Sequence, residues 1–88
     1  MVAYLLYNKA TPDERLMQDL AKRLETEEQV EVELMDADSP RGIQFTENYD
    51  VLGRPAVALV RSDGSPVQIW QGKENLPLPS DIGYQAHQ

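Results

Sequence analysis

Nucleophilic and redox chemistry draws on a short set of side chains, and this sequence lacks the most useful of them. None of the 88 residues is cysteine, so no disulfide, thiolate nucleophile or thiolate metal cage can be built. The single histidine, His87, stands next to the last residue, which leaves no His-based catalytic pair and no multi-His metal site. Carboxylates remain. Asp36, Asp38, Asp50 and Asp63 would suit magnesium if folding gathered them, because hard cations take clustered oxygen ligands. Read singly, they are strand-end and turn residues on an acidic surface. No EF-hand, P-loop or dinucleotide glycine pattern is present. No enzyme activity and no cofactor are expected.

Charge narrows the partners. Eight Lys and Arg stand against 15 Asp and Glu, for a net charge of -7. Nucleic-acid binders need a concentrated basic surface to release counterions, and the basic residues here are scattered. An anionic membrane surface is disfavoured for the same reason. The longest apolar run, Val2 to Tyr7, is far short of the roughly 20 residues of a spanning helix. It lacks a preceding basic region and a small-residue cleavage site, so it does not read as a signal peptide. The expected partner is a protein or peptide, with a homodimer as a further option, no nucleic acid and no membrane, in the cytoplasm.

The elements follow from pattern. Residues 2–7 read as a strand covered on both faces. Residues 11–27 read as a helix, with Thr11 as cap, Pro12 at the first position and Glu14 completing a capping box. Leu16, Met17, Leu20, Ala21 and Leu24 form its apolar stripe, and Asp19 and Arg23 are spaced for an i,i+4 pair. Residues 31–36 alternate, with Val32 and Leu34 inward and Glu31, Glu33 and Met35 outward. Strand, helix, strand in this order implies a right-handed crossover and a parallel pair. Ser39 and Pro40 open a short helix to about Asn48 or Tyr49, with Ile43, Phe45, Tyr49, Val51 and Leu52 supplying buried contacts. Ala56 to Arg61 reads as a fully apolar third strand. The turn Ser62-Asp63-Gly64-Ser65 then leads to an antiparallel fourth strand opened by Pro66 at the sheet edge. The expected core is Ala3, Leu5, Leu16, Leu20, Leu24, Val32, Leu34, Val57, Leu59 and Ile69. Trp70 is expected to be half-buried at the sheet edge or on the tail. Leu76-Pro77-Leu78-Pro79 reads as a tail folded back on the sheet or as a polyproline ligand for another domain. Residues 80–86 have room for a turn or so. The expected division is a domain over 1–72 and a partly ordered, Pro-containing tail over 73–88.

The order βαβ, short helix, Gly-x-Pro, hairpin resembles the thioredoxin-like fold. The resemblance rests on Tyr49-Asp50-Val51-Leu52-Gly53-Arg54-Pro55-Ala56-Val57, then Asp63-Gly64 and Trp70-Gln71-Gly72, and covers residues 2–72. It implies a small α/β domain with a four-stranded mixed sheet in the order 2-1-3-4 and a terminal helix reduced or absent. It also implies a cis bond before Pro55. The family's redox pair Cys-x-x-Cys falls on Thr11-Pro12-Asp13-Glu14, where neither end residue can form or attack a disulfide. The resemblance thus implies a scaffold without the thiol reaction. Its peptide-binding corner carries over to Thr11, Glu14, Arg54 and Pro55, with Arg54 suited to an acidic or polar peptide or else held in a surface ion pair with Asp50 or Glu14. A reduced terminal helix would leave one sheet face partly bare, which gives the alternative reading: a structural or assembly protein that homodimerises through that face.

Overall fold

A computed structural model describes residues 1–88. Strand β1 (Val2–Tyr7) leads to helix α1 (Pro12–Glu27), strand β2 (Glu31–Asp36), helix α2 (Pro40–Asn48), strands β3 (Ala56–Val60) and β4 (Pro66–Gln71), and helix α3 (Pro79–Ala86), with a single 3-10 turn at Lys73–Asn75. The sheet order is β2-β1-β3-β4. β2 is parallel to β1, while β3 is antiparallel to both β1 and β4. The small α/β fold and the 2-1-3-4 mixed sheet are therefore as the resemblance implied.

β1 and β3 occupy the middle because they can be dry on both faces. All five residues of β3 are buried. Alternation along β1 splits the core in two. Ala3, Leu5 and Tyr7 face α1 and α3, packing with Met17, Ala21, Leu24, Val57, Leu59 and Ile82. Leu6 faces α2 with Met35, Val51 and Ala56, and Tyr4, Phe45, Tyr49 and Ile69 pack around them. Tyr4, Phe45 and Tyr49 form a run of tilted rings 4.9 and 4.6 Å apart, a favoured aromatic geometry.

Helix α1 turns inward by a different part of its stripe than expected. Met17, Ala21 and Leu24 are buried, Leu20 is half-buried and Leu16 is 38% exposed. In β2 the expected inward Leu34 is 40% exposed, whereas Met35 is buried. Helix α2 lies over the Met35 side and shields it from water, while β2 is an edge strand with little over Leu34. Val32 and Ile69 are half-buried. Around α2, Phe45, Tyr49 and Val51 pack as expected, but Ile43 is 46% and Leu52 87% exposed. Arg23 pairs with Glu27 at 3.4 Å rather than with Asp19.

The closing helix is short but present. Asp81 accepts a hydrogen bond from the Leu78 amide at 3.1 Å, and Pro79 sits in the first turn, where a missing N–H costs nothing. Ile82 is fully buried and Gly83 packs beside Glu28. Leu76 and Trp70 pack on the same core. The face expected to be partly bare is thus covered by α3, and the homodimer built on a bare face loses its premise.

Candidate binding site at the carboxyl end of the first strand

The register places the four expected site residues at one end of the sheet. Leu6 pairs with Ala56, so Pro55 lies beside the carboxyl end of β1. The chain leaves β1 at that same end, turns through Asn8 to Ala10 with Ala10 at φ 60, and enters α1 at Thr11. Glu14 lies one turn further in. The fold brings Thr11, Glu14, Arg54 and Pro55 to this common corner.

Local bonding differs from the expected capping box. The Thr11 hydroxyl donates to the Asn8 carbonyl at 2.6 Å and makes no cap bond. The Glu14 carboxylate accepts from the Ala10 amide at 3.4 Å, while the Glu14 amide donates to the Thr11 carbonyl at 3.1 Å. The left-handed turn at Ala10 presents its own N–H to Glu14, which takes the role the Thr11 amide was expected to fill. Asn8 also donates to Asp38 at 3.1 Å, and the Ala37 amide donates to Tyr7 at 2.8 Å, which closes the corner on the β2 side.

On the other side, the loop from Val51 to Pro55 is pinned twice. The Gln71 side-chain oxygen accepts from the amides of Leu52 and Gly53 at 2.7 and 2.9 Å. The Gly72 amide donates to the Pro55 carbonyl at 3.0 Å. Gly72 has φ 88, a backbone that favours glycine. Pro55 is fully buried and its bond to Arg54 is cis. The loop backbone is therefore fixed while two side chains project from it. Leu52 is the most exposed large hydrophobic residue of the chain. Arg54 is exposed and belongs to neither of the two ion pairs, Arg23–Glu27 and Arg41–Glu33, so the expected partners Asp50 and Glu14 do not hold it. Neither Leu52 nor Gln71 was expected at the site: Leu52 was expected to be buried around α2, and Gln71 carried no role of its own. The only signal available was the place of Leu52 beside Gly53 and Pro55, past the end of α2.

The aspartates do not converge. Asp36 and Asp38 share the turn after β2, where the Asp38 amide donates to Asp36 at 3.0 Å. Asp63 lies at the opposite end of the sheet, since Val60 pairs with Val2. There it accepts from the Ser65 hydroxyl at 2.7 Å and the Ser65 amide at 3.0 Å, which hold its carboxyl below the ordinary aspartate range. Asp50 follows α2 at that same end, where Tyr49 donates to the Gly64 carbonyl at 2.6 Å. No three acidic or histidine residues are grouped to hold a metal ion. No helix is long and apolar enough to cross a membrane.

Comparison by sequence finds no matching family model and no matching curated protein. Comparison by structure does. Thioredoxin 1 from the thermophilic eubacterium Thermosipho africanus TCF52B superposes with a TM-score of 0.70 at 10% identity, over 99% of this chain and 91% of that one. A thioredoxin from Thermus thermophilus superposes with a TM-score of 0.56 at 18% identity, over 98% of this chain and 71% of that one. The chain has a thioredoxin-like fold, and its 88 residues contain no cysteine with which to carry out thiol–disulfide exchange.

Proposed function

We propose that this is a redox-inactive, non-catalytic thioredoxin-like domain that binds a protein or peptide partner at the Thr11, Glu14, Arg54 and Pro55 corner. The observation that carries the reading is the loop Leu52–Pro55. Its backbone is tied down by Gln71 and Gly72, yet it offers an unpaired guanidinium and a bare leucine to solvent. Fixing a loop before binding lowers the entropy lost on association. An apolar anchor beside a charged group suits recognition of an extended segment, with Leu52 meeting an apolar side chain and Arg54 a carboxylate or polar group. Asp13 and Glu14 at the start of α1 oppose a free anion there, so the partner's acidic group belongs on the Arg54 side. A cytoplasmic setting suits this role.

The test is selection from a phage-displayed random-peptide library, followed by fluorescence anisotropy with the selected peptides. Arg54→Glu should weaken binding about tenfold or more, the scale of a lost charge-assisted hydrogen bond. Leu52→Ala should weaken it with the fold intact. Selected peptides that bind R54E and L52A as tightly as the parent would remove the proposal.

A further inference from the structure

The corner is one part of a longer rim whose charge changes sign along its length. Strands β1, β2 and β4 all end on this side of the sheet, and β3 begins there. Strand order therefore sets the order of the loops. The end of β2 carries Asp36 and the exposed Asp38, and Asp13 and Glu14 follow where β1 passes into α1. Arg54 stands at the start of β3 and Lys73 past the end of β4, both exposed. Each half holds one residue of the other sign, Lys9 after β1 and Glu74 after Lys73. The two ion pairs of the chain, Arg23–Glu27 and Arg41–Glu33, involve none of these residues. The Asp38 carboxylate accepts from Asn8, an uncharged amide, so it is positioned without being neutralised.

We infer that the partner segment is bipolar, with its acidic residue over Arg54 and Lys73 and a basic residue at Asp38. This rests on the corner being the binding site, and adds to it the order of charge along the bound segment. From β2 to β4 the rim crosses three strand spacings of about 4.8 Å, roughly 14 Å in all. That exceeds the screening length of about 8 Å at physiological salt, so the two ends act as separate poles. An extended segment advances about 3.3 Å per residue, which sets its opposite charges about four to five positions apart. Leu52 is held to Gln71 at the end of β4, so the apolar residue that meets it lies at the acidic end of the segment.

Such an arrangement selects by repulsion as well as attraction. A wholly acidic segment meets Asp38 with like charge, on a chain whose net charge of -7 already repels it. A wholly basic segment meets Arg54 and Lys73. The groove of about 230 Å³ between α1 and Leu76–Pro79 imposes no such order, since its two charged residues, Asp19 and Arg23, lie one turn apart on one helix.

The test reads the charge order of peptides selected from the random library on the parent chain. They should carry an acidic and a basic residue about four to five positions apart. In fluorescence anisotropy, D38N and K73Q should each weaken these peptides about three- to fivefold, the scale of an exposed ion pair. D38N keeps a side-chain oxygen for Asn8, and circular dichroism checks the fold of each variant. Binding to D38K should be rescued by replacing the basic residue of the peptide with Glu, binding to R54E by replacing its acidic residue with Lys, and neither by the other exchange. Peptides without that charge order, or weakened by R54E and L52A but not by D38N, would overturn the inference and leave the corner standing as a site. No selected peptide, or peptides indifferent to every variant, would remove the corner and this inference with it.

Discussion

Gln71→Leu removes the oxygen that accepts from the Leu52 and Gly53 amides at 2.7 and 2.9 Å, while keeping a side chain of similar size over Gly53. The two amides respond differently. The bond at Leu52 is at the surface, so water replaces most of it, whereas the Gly53 amide is partly buried. A hydrogen bond is worth about 0.5–1.5 kcal/mol net, and stranding a buried donor costs about 1–3 kcal/mol. The expected loss is about 1–2 kcal/mol in all. With a urea slope of about 1–1.5 kcal/mol/M for a domain this small, the unfolding midpoint falls by about 1 M. Gln71→Glu keeps an oxygen at the same reach and should stay within about 0.5 kcal/mol of the parent. Amide hydrogen exchange reads the loop directly, and Gly53 should exchange about tenfold faster in Q71L only. Equal midpoints for Q71L and Q71E, or unchanged exchange at Gly53, would show that Gln71 is not what holds the loop.

Three further outcomes follow from packing and charge. Leu24→Ala, at a fully buried site, should cost about 3–4 kcal/mol by urea denaturation, whereas Leu20→Ala should cost about 1–2 kcal/mol because Leu20 is only half-buried. Gly42→Ala should destabilise by about 1–3 kcal/mol, because a Cβ there would overlap the Asp36 carbonyl oxygen and meet the Ala37 Cα at 2.9 Å; a thermal melt indistinguishable from the parent would contradict that crowding. The Asp63 carboxyl is held below its ordinary range by Ser65, so its contribution to stability is present above the unfolded aspartate value of about 3.9 and is lost as pH falls through the lower folded value. Asp63→Asn should therefore flatten the fall in urea midpoint below about pH 4, and an unchanged acid limb would refute the Ser65 effect.

Strand order and the starts of α1 and α2 could be read from the chain because local and global signals agree there. Ser39 accepts from the Gly42 amide at 3.0 Å as its position before Pro40 suggests, and the all-apolar β3 has nowhere to sit but the sheet centre. The inward direction of α1 could not be read. Its stripe from Leu16 to Leu24 spans roughly 140° of arc, and only packing against β1 and α3 decides that Met17, Ala21 and Leu24 turn in. Met35 was placed on the wet side because alternation shows that two faces differ, not which of them a later helix will cover. Two prolines suggested a broken tail, yet Pro77 precedes α3 and Pro79 lies in its first turn. At the site, the corner was visible through Arg54-Pro55 and the entry to α1. The Gln71 clamp was not, because a glutamine in an edge strand carries no periodic signal for a bond 18 and 19 residues back.

Peptide recognition at the corner is most directly read by ¹⁵N–¹H chemical-shift mapping of the parent chain with a peptide from the random library. The account predicts that shifts concentrate on the amides of Thr11, Leu52, Gly53 and Arg54 and vanish with R54E. Shifts centred on the α1 groove or on a sheet edge, with those four amides unmoved, would contradict it.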